Sequence, residues 1–129
     1  MSKKIFIVYG HHNTQKSFNA SIRDTFIDEA KKLNHKIDLI NLHDEKHLPF
    51  FDGTGPNDQI LNYRKRLEES DVLFMISPCY NLRATAILEN WIDLTLAPKW
   101  FFSFKRLVGN WGYPVAGCLL YTSDAADDL

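Results

Sequence analysis

The sequence predicts an α/β domain organised around a doubly wound parallel sheet, on two observations. Short apolar runs recur three times, at Lys4–Tyr9, Lys36–Asn41 and Val72–Ser77, each bounded by turn chemistry. Between them lie segments whose apolar residues repeat every three to four positions, so strand and helix alternate. The first and third runs are continuous and β-branched, as expected of strands covered on both faces.

Strand one stops at Gly10. Phe18, Ile22, Phe26, Ala30 and Leu33 then mark a helix from Ser17 onward, with Lys31 and Lys32 suiting the negative end of its dipole. Asn34-His35 precedes the second strand. The breaker stretch Asp52-Gly53-Thr54-Gly55-Pro56 opens a second helix over Asp58–Glu69, carrying Ile60, Leu61, Tyr63 and Leu67. Pro78 ends the third strand. A third helix, Ala84–Leu96, carries Ile87, Leu88, Trp91 and Ile92 and stops before Pro98. A fourth strand is expected to begin near Pro114-Val115-Ala116.

Five βα units at roughly 30 residues each need more chain than 129 residues supply. Cys118 to Asp127 is similar to the translation of a transposase adapter end from sequencing libraries and to no protein motif. The expectation is an N-terminal piece, residues 1–117, cut within strand four, followed by a non-native tail over 118–129.

Composition narrows the function classes. Apolar residues make up 45% and charged residues 24%, enough for a core and against wholesale disorder. A net charge of −1 leaves no basic excess for non-specific nucleic-acid binding. Cys79 and Cys118 make no disulfide framework and no zinc spacing, and His43, Asp44 and His47 lie in a connector with nothing to align them on a metal. Ile5 to Tyr9 is too short for a signal segment, and no run reaches the roughly 18 apolar residues of a membrane span. A soluble, cytoplasmic protein is expected.

Two segments follow the carboxyl ends of strands, where open α/β sheets bind ligands. Gly10-His11-His12-Asn13-Thr14-Gln15-Lys16-Ser17-Phe18-Asn19 is dense in donors and ends at a helix start, which favours an anion. It is neither a GxGxxG nor a Walker A loop, and Ser17 equally suits an ordinary N-cap on a polar connector. Pro78-Cys79-Tyr80-Asn81-Leu82-Arg83-Ala84-Thr85 sets an aromatic and an amide at the mouth of strand three, suited to a planar heterocycle. It also suits a plain turn with a packed tyrosine, and Cys79 suits an inert buried thiol. Trp100, Phe101, Phe102 and Phe104 would line a ligand face, a dimer contact or the underside of the sheet.

Ser17-Phe18-Asn19 with the histidines before it, then Ala86-Ile87-Leu88-Glu89-Asn90-Trp91-Ile92-Asp93 after a proline loop, resembles the flavodoxin-like NAD(P)H:quinone oxidoreductase family. The resemblance implies a flavodoxin-like doubly wound sheet, truncated here within strand four, and bound FMN or FAD. It also implies homodimers and two-electron reduction of quinone-like acceptors by NAD(P)H. It assigns His12, Thr14, Ser17, Phe18 and Asn19 to the flavin phosphate loop. It assigns Pro78, Cys79, Tyr80, Asn81, Leu82 and Arg83 to the loop that holds the isoalloxazine ring. Quinone reductases of this kind usually carry Trp where Asn81 stands and Gly where Arg83 stands. Pro-x-Tyr-Asn is instead similar to the FMN-dependent azoreductase branch, so both flavins and both acceptor classes fit. Some similar proteins are flavin-binding ancillary subunits of potassium-efflux systems, a non-catalytic alternative. The residues for nicotinamide and quinone chemistry would lie beyond strand four, so the sequence names no general acid or base.

Overall fold

The computed structural model describes residues 1–97, 100–108 and 111–116. They divide into two compact units, Met1–Thr95 and Leu96–Leu129. The first holds β1 (Lys4–Tyr9), α1 (Phe18–Lys32), β2 (Lys36–Asn41), a 3-10 turn (Leu42–Asp44), α2 (Asp58–Glu68), β3 (Val72–Ile76) and α3 (Ala86–Thr95). Its sheet runs β2-β1-β3, all parallel, with Ile7 opposite Leu39 on one side and Phe74 on the other.

β1 is the central strand and Phe6 to Tyr9 are fully buried, as its unbroken apolar run requires. Ile5, Ile7 and Tyr9 face α1, packing with Ala20, Ala30 and Ile76. Phe6 points to the opposite face, where its ring meets Trp91 of α3 at 6.2 Å and the Arg66 guanidinium of α2 at 5.3 Å. Helices therefore cover both faces. Arg66 also forms a two-pronged ion pair with Asp38 of β2, at 3.0 and 2.5 Å, fixing α2 over the sheet. Arg64 donates to the Leu94 and Thr95 carbonyls at the end of α3, both at 3.1 Å, satisfying acceptors the helix leaves open.

The helix ends follow local chemistry. Ser17 caps α1 through Ala20 N–H, and Asn57 caps α2 through Ile60 N–H. α1 closes in a Schellman arrangement: Asn34 adopts φ 61°, its N–H reaches the Lys31 carbonyl, and His35 N–H reaches that of Ala30.

Two expectations need correction. β3 is not covered like β1: within its unit it pairs only with β1, and Val72 and Met75 are 42% and 41% exposed. An edge strand lacks the second neighbour that would shield it. The expected start of strand four at Pro114–Ala116 falls inside β5 (Trp111–Ala116), which pairs antiparallel with β4 (Phe102–Val108) in a separate two-stranded sheet. Phe102 and Phe104 of the aromatic stretch belong to β4. An antiparallel pair of strands close in sequence forms locally, where a parallel partner needs a long crossover. Pro114, which cannot donate to a ladder, is tolerated in a two-stranded sheet because both strands are edges. The boundary at Gly117 and the tail 118–129 lie outside the described residues. Among those described, no helix is long and apolar enough to cross a membrane.

Candidate functional site

In the order β2-β1-β3 the chain leaves β1 toward β2 on one side and returns as β3 on the other. The switch point lies between the carboxyl ends of β1 and β3, the position where such sheets bind ligands. The two segments singled out in the sequence both start there, and their roots are joined. Gly10 N–H donates to the Ile76 carbonyl at 2.9 Å, and Thr85 Oγ1 donates to the Gly10 carbonyl at 2.6 Å. A Cβ on Gly10 would lie 2.9 Å from Leu88 Cβ and 3.0 Å from Thr85 Oγ1, so only glycine permits this approach. Ser77 completes the junction, its Oγ accepting from Thr85 N–H at 3.0 Å.

The β1–α1 loop is ordered from within. Tyr9 Oη donates to the Asn13 carbonyl at 2.8 Å and lies 2.9 Å from Ser17 Oγ. Asn13 Oδ1 accepts from the N–H groups of Gln15 and Lys16, and Asn13 N–H donates to His11 Nδ1. His12 is exposed and stacks on His11 with ring centres 4.4 Å apart. Thr14 is half-buried, Asn19 sits half-buried in the first helical turn, and Phe18 beside it is 80% exposed. Ser17 is the N-cap, so the connector alternative is correct as to its local role. The backbone N–H groups of Phe18 and Asn19 meet no acceptor among the described residues, as the start of a helix leaves them. The acceptors of Asn13 are taken up within the loop, and the N–H groups of Phe18 and Asn19 stay open, which fits an anion.

Beyond β3, Pro78 is half-buried and the chain turns out of the sheet. Tyr80 and Arg83 exchange both backbone hydrogen bonds, at 3.0 and 3.1 Å, around Asn81 (φ 52°) and Leu82 (φ 62°). Two successive positive φ values between a paired Tyr80 and Arg83 match a type I′ turn. Asn tolerates that region; Leu does not, so Leu82 holds local strain while standing 97% exposed. Arg83 Nη1 pairs with Glu89 Oε2 of α3 at 2.9 Å, tying the turn to the helix. Tyr80 is 47% exposed and Cys79 is exposed, so neither the packed tyrosine nor the buried thiol is found. Both sit on a hairpin that projects past the end of the strand rather than folding under it.

Among the described residues no hydrogen bond links His12–Asn19 directly to Pro78–Arg83; the junction runs through Gly10, Ser77 and Thr85. Gly10 and Thr85 lie in the two segments singled out from the sequence, whereas Ser77, Tyr9 and Arg23 carried no site signal there, being part of a strand run or a helix pattern. A cavity of about 370 Å³ lies elsewhere, between the segment after β2 and the start of α3. Leu42, Leu48, Phe50 and Ile87 line it together with Lys46 and Asn90, and none of the residues assigned to the two loops does.

Residues 3–119 match the model of the family described as Flavodoxin-like fold. Human ribosyldihydronicotinamide dehydrogenase [quinone] is 26% identical over 125 residues, covering 78% of this chain and 54% of that protein. An FMN-dependent NADH:quinone oxidoreductase of Mycoplasma mobile is 30% identical over 96 residues, covering 69% and 48% respectively. The solved structure of an azoreductase from Bacillus anthracis superposes with a TM-score of 0.69 at 17% identity, over 90% of this chain and 64% of that one, a likeness of fold. The chain spans about half the length of the curated relatives it matches. The parallel β2-β1-β3 sheet with helices on both faces agrees with the match over residues 3–119, and the chain belongs to the flavodoxin-like fold family.

Proposed function

We propose that the chain is the flavin-binding part of an NAD(P)H:quinone-type oxidoreductase with FMN as its flavin. One observation carries this: at the switch point a donor-rimmed loop and a projecting turn with an exposed tyrosine share a single hydrogen-bonded junction at Gly10 and Thr85. The donor set suits a phosphate at the start of α1, and the Tyr80–Arg83 turn suits the edge of a planar ring. The relatives' names, one FMN-dependent and both quinone-reducing, support the same reading. When bound, the flavin supplies the two-electron chemistry between nicotinamide and acceptor.

The chain's own residues bind and orient. The N–H groups of Phe18 and Asn19 would face the phosphate, with His12, Thr14 and Ser17 around it. Within the turn, Tyr80 N–H and Arg83 N–H are spent on each other, which leaves the N–H groups of Asn81 and Leu82 for the ring. Pro78 and Cys79 set the height of the turn above β3, and Arg83 brings a positive charge near the ring edge. An azo compound is a second acceptor class, favoured by the Pro78-x-Tyr80-Asn81 pattern. A homodimer is part of the proposal, supported by the exposed apolar side chains of Phe50 and Phe51. So is a division at residue 117, with 118–129 foreign to the fold, supported by the adapter-like sequence alone.

The test is a titration of the purified chain with FMN, followed by flavin fluorescence, and then NADH oxidation with menadione present. Saturable quenching with one FMN per chain is expected. Absence of any flavin binding by folded protein would refute the proposal.

A further inference from the structure

We propose that Tyr9 is a positioning residue for the phosphate of the flavin, and that it does so by committing the hydroxyl of Ser17 to the protein. This rests on the flavin proposal above. Tyr9 is completely buried at the end of β1, beneath the loop. Its ring is held on one side by the Arg23 guanidinium, 4.5 Å from the ring centre. Arg23 is itself only 6% exposed and is fixed by Asn41 Oδ1 at 3.0 Å and Asp24 Oδ1 at 2.8 Å. The cation over the ring restrains the tyrosine's tilt, so its hydroxyl is delivered to one place.

A phenol has one hydrogen. The Asn13 carbonyl can only accept, so that hydrogen goes to Asn13. The 2.9 Å contact with Ser17 must then be donated by the serine. Ser17 Oγ also accepts from Ala20 N–H at 3.0 Å. Its hydrogen is spent, and it has none to offer an anion. The donors left for a phosphate are the backbone N–H groups of Phe18 and Asn19, and Tyr9 fixes the loop that presents them. Without the phenol, the Asn13 carbonyl is released beside the anion, where an acceptor repels it.

The experiment compares FMN with riboflavin, which has the ring but no phosphate, on the wild-type chain and on Tyr9→Phe. FMN affinity is expected to fall about tenfold in Tyr9→Phe while riboflavin affinity stays within about twofold. Ser17→Ala leaves the phenol on the Asn13 carbonyl and removes a hydroxyl that has no hydrogen for the anion, so it should weaken FMN by no more than about threefold. Should Tyr9→Phe fail to fold by circular dichroism, this smaller loss carries the test. Parallel losses of FMN and riboflavin in Tyr9→Phe, unchanged FMN affinity there, or a Ser17→Ala loss of about tenfold or more would each overturn the inference. Wild-type protein that binds neither flavin would refute the flavin proposal itself, and the inference with it.

Discussion

Thr85 Oγ1 donates a 2.6 Å buried hydrogen bond to the carbonyl of Gly10, joining loops 75 residues apart in the chain. It stands where β1, β3 and α3 converge. Its N–H is taken by Ser77 and its carbonyl accepts from Glu89 N–H at the start of α3. One side chain therefore sets the spacing of the two loops.

Thr85→Val keeps the shape and removes the donor. The Gly10 carbonyl is then buried without its partner, and the expected loss is about 1–3 kcal/mol. Thr85→Ser, which keeps the hydroxyl, should lose much less. Urea denaturation of the two variants side by side checks this.

Gly10→Ala forces a methyl to within 2.9 Å of Leu88 Cβ. Overpacking of this kind costs roughly 1–3 kcal/mol. The near atom is Cβ itself, which every residue but glycine keeps, so Leu88→Ala combined with Gly10→Ala should recover little of the loss. Urea denaturation in which Gly10→Ala costs nothing would argue against the contact as described.

Leu82 sits at φ 62° with its side chain in solvent. Leu82→Gly creates Asn-Gly, the dipeptide that type I′ turns prefer, and should raise stability by about 1 kcal/mol after the glycine's entropy is counted. If the leucine touches the ring, flavin affinity should fall as stability rises. Asn81→Trp, which would restore the usual quinone-reductase residue, places an aromatic at φ 52° and should destabilise the turn by about 1–2 kcal/mol. Thermal melts with and without FMN separate the two effects.

Burial pushes the Tyr63 phenol above its ordinary 10.0, against the smaller opposing effect of the hydrogen bond from Gln59. The folded state therefore holds this proton more tightly than the unfolded chain. The stability linked to it is complete below pH 10 and is lost as pH rises through the folded value. Tyr63→Phe should show a shallower decline between about pH 9 and 11 than wild type. Equal slopes in urea denaturation across that range would count against the burial of this hydroxyl.

The elements of the first unit were legible because each carries its own local signal. β1 is an unbroken apolar run, α1 has Ser17 before it and lysines at its end, and Pro78 follows β3 after one residue. The candidate loops were legible for the same reason, being the donor-rich and aromatic stretches that follow strands. The state of their atoms was not. Ser17 reads in sequence as a ligand donor or an ordinary N-cap, and only the phenol of Tyr9 at the end of β1 shows where its hydrogen goes. Cys79 reads as a core thiol, and only the projecting hairpin exposes it.

The sequence by itself determined the alternation of strand and helix and the sites where turns must occur, since propensity, caps and apolar period act within a few residues. Tertiary structure decided which strands pair, that Leu82 takes a left-handed backbone, and that Thr85 reaches Gly10. Hydrogen bonds between residues far apart in the chain depend on which surfaces the fold brings together. An unfavourable φ at Leu82 is held by the two bonds between Tyr80 and Arg83 and by the ion pair to Glu89, and none of these is written in the leucine itself.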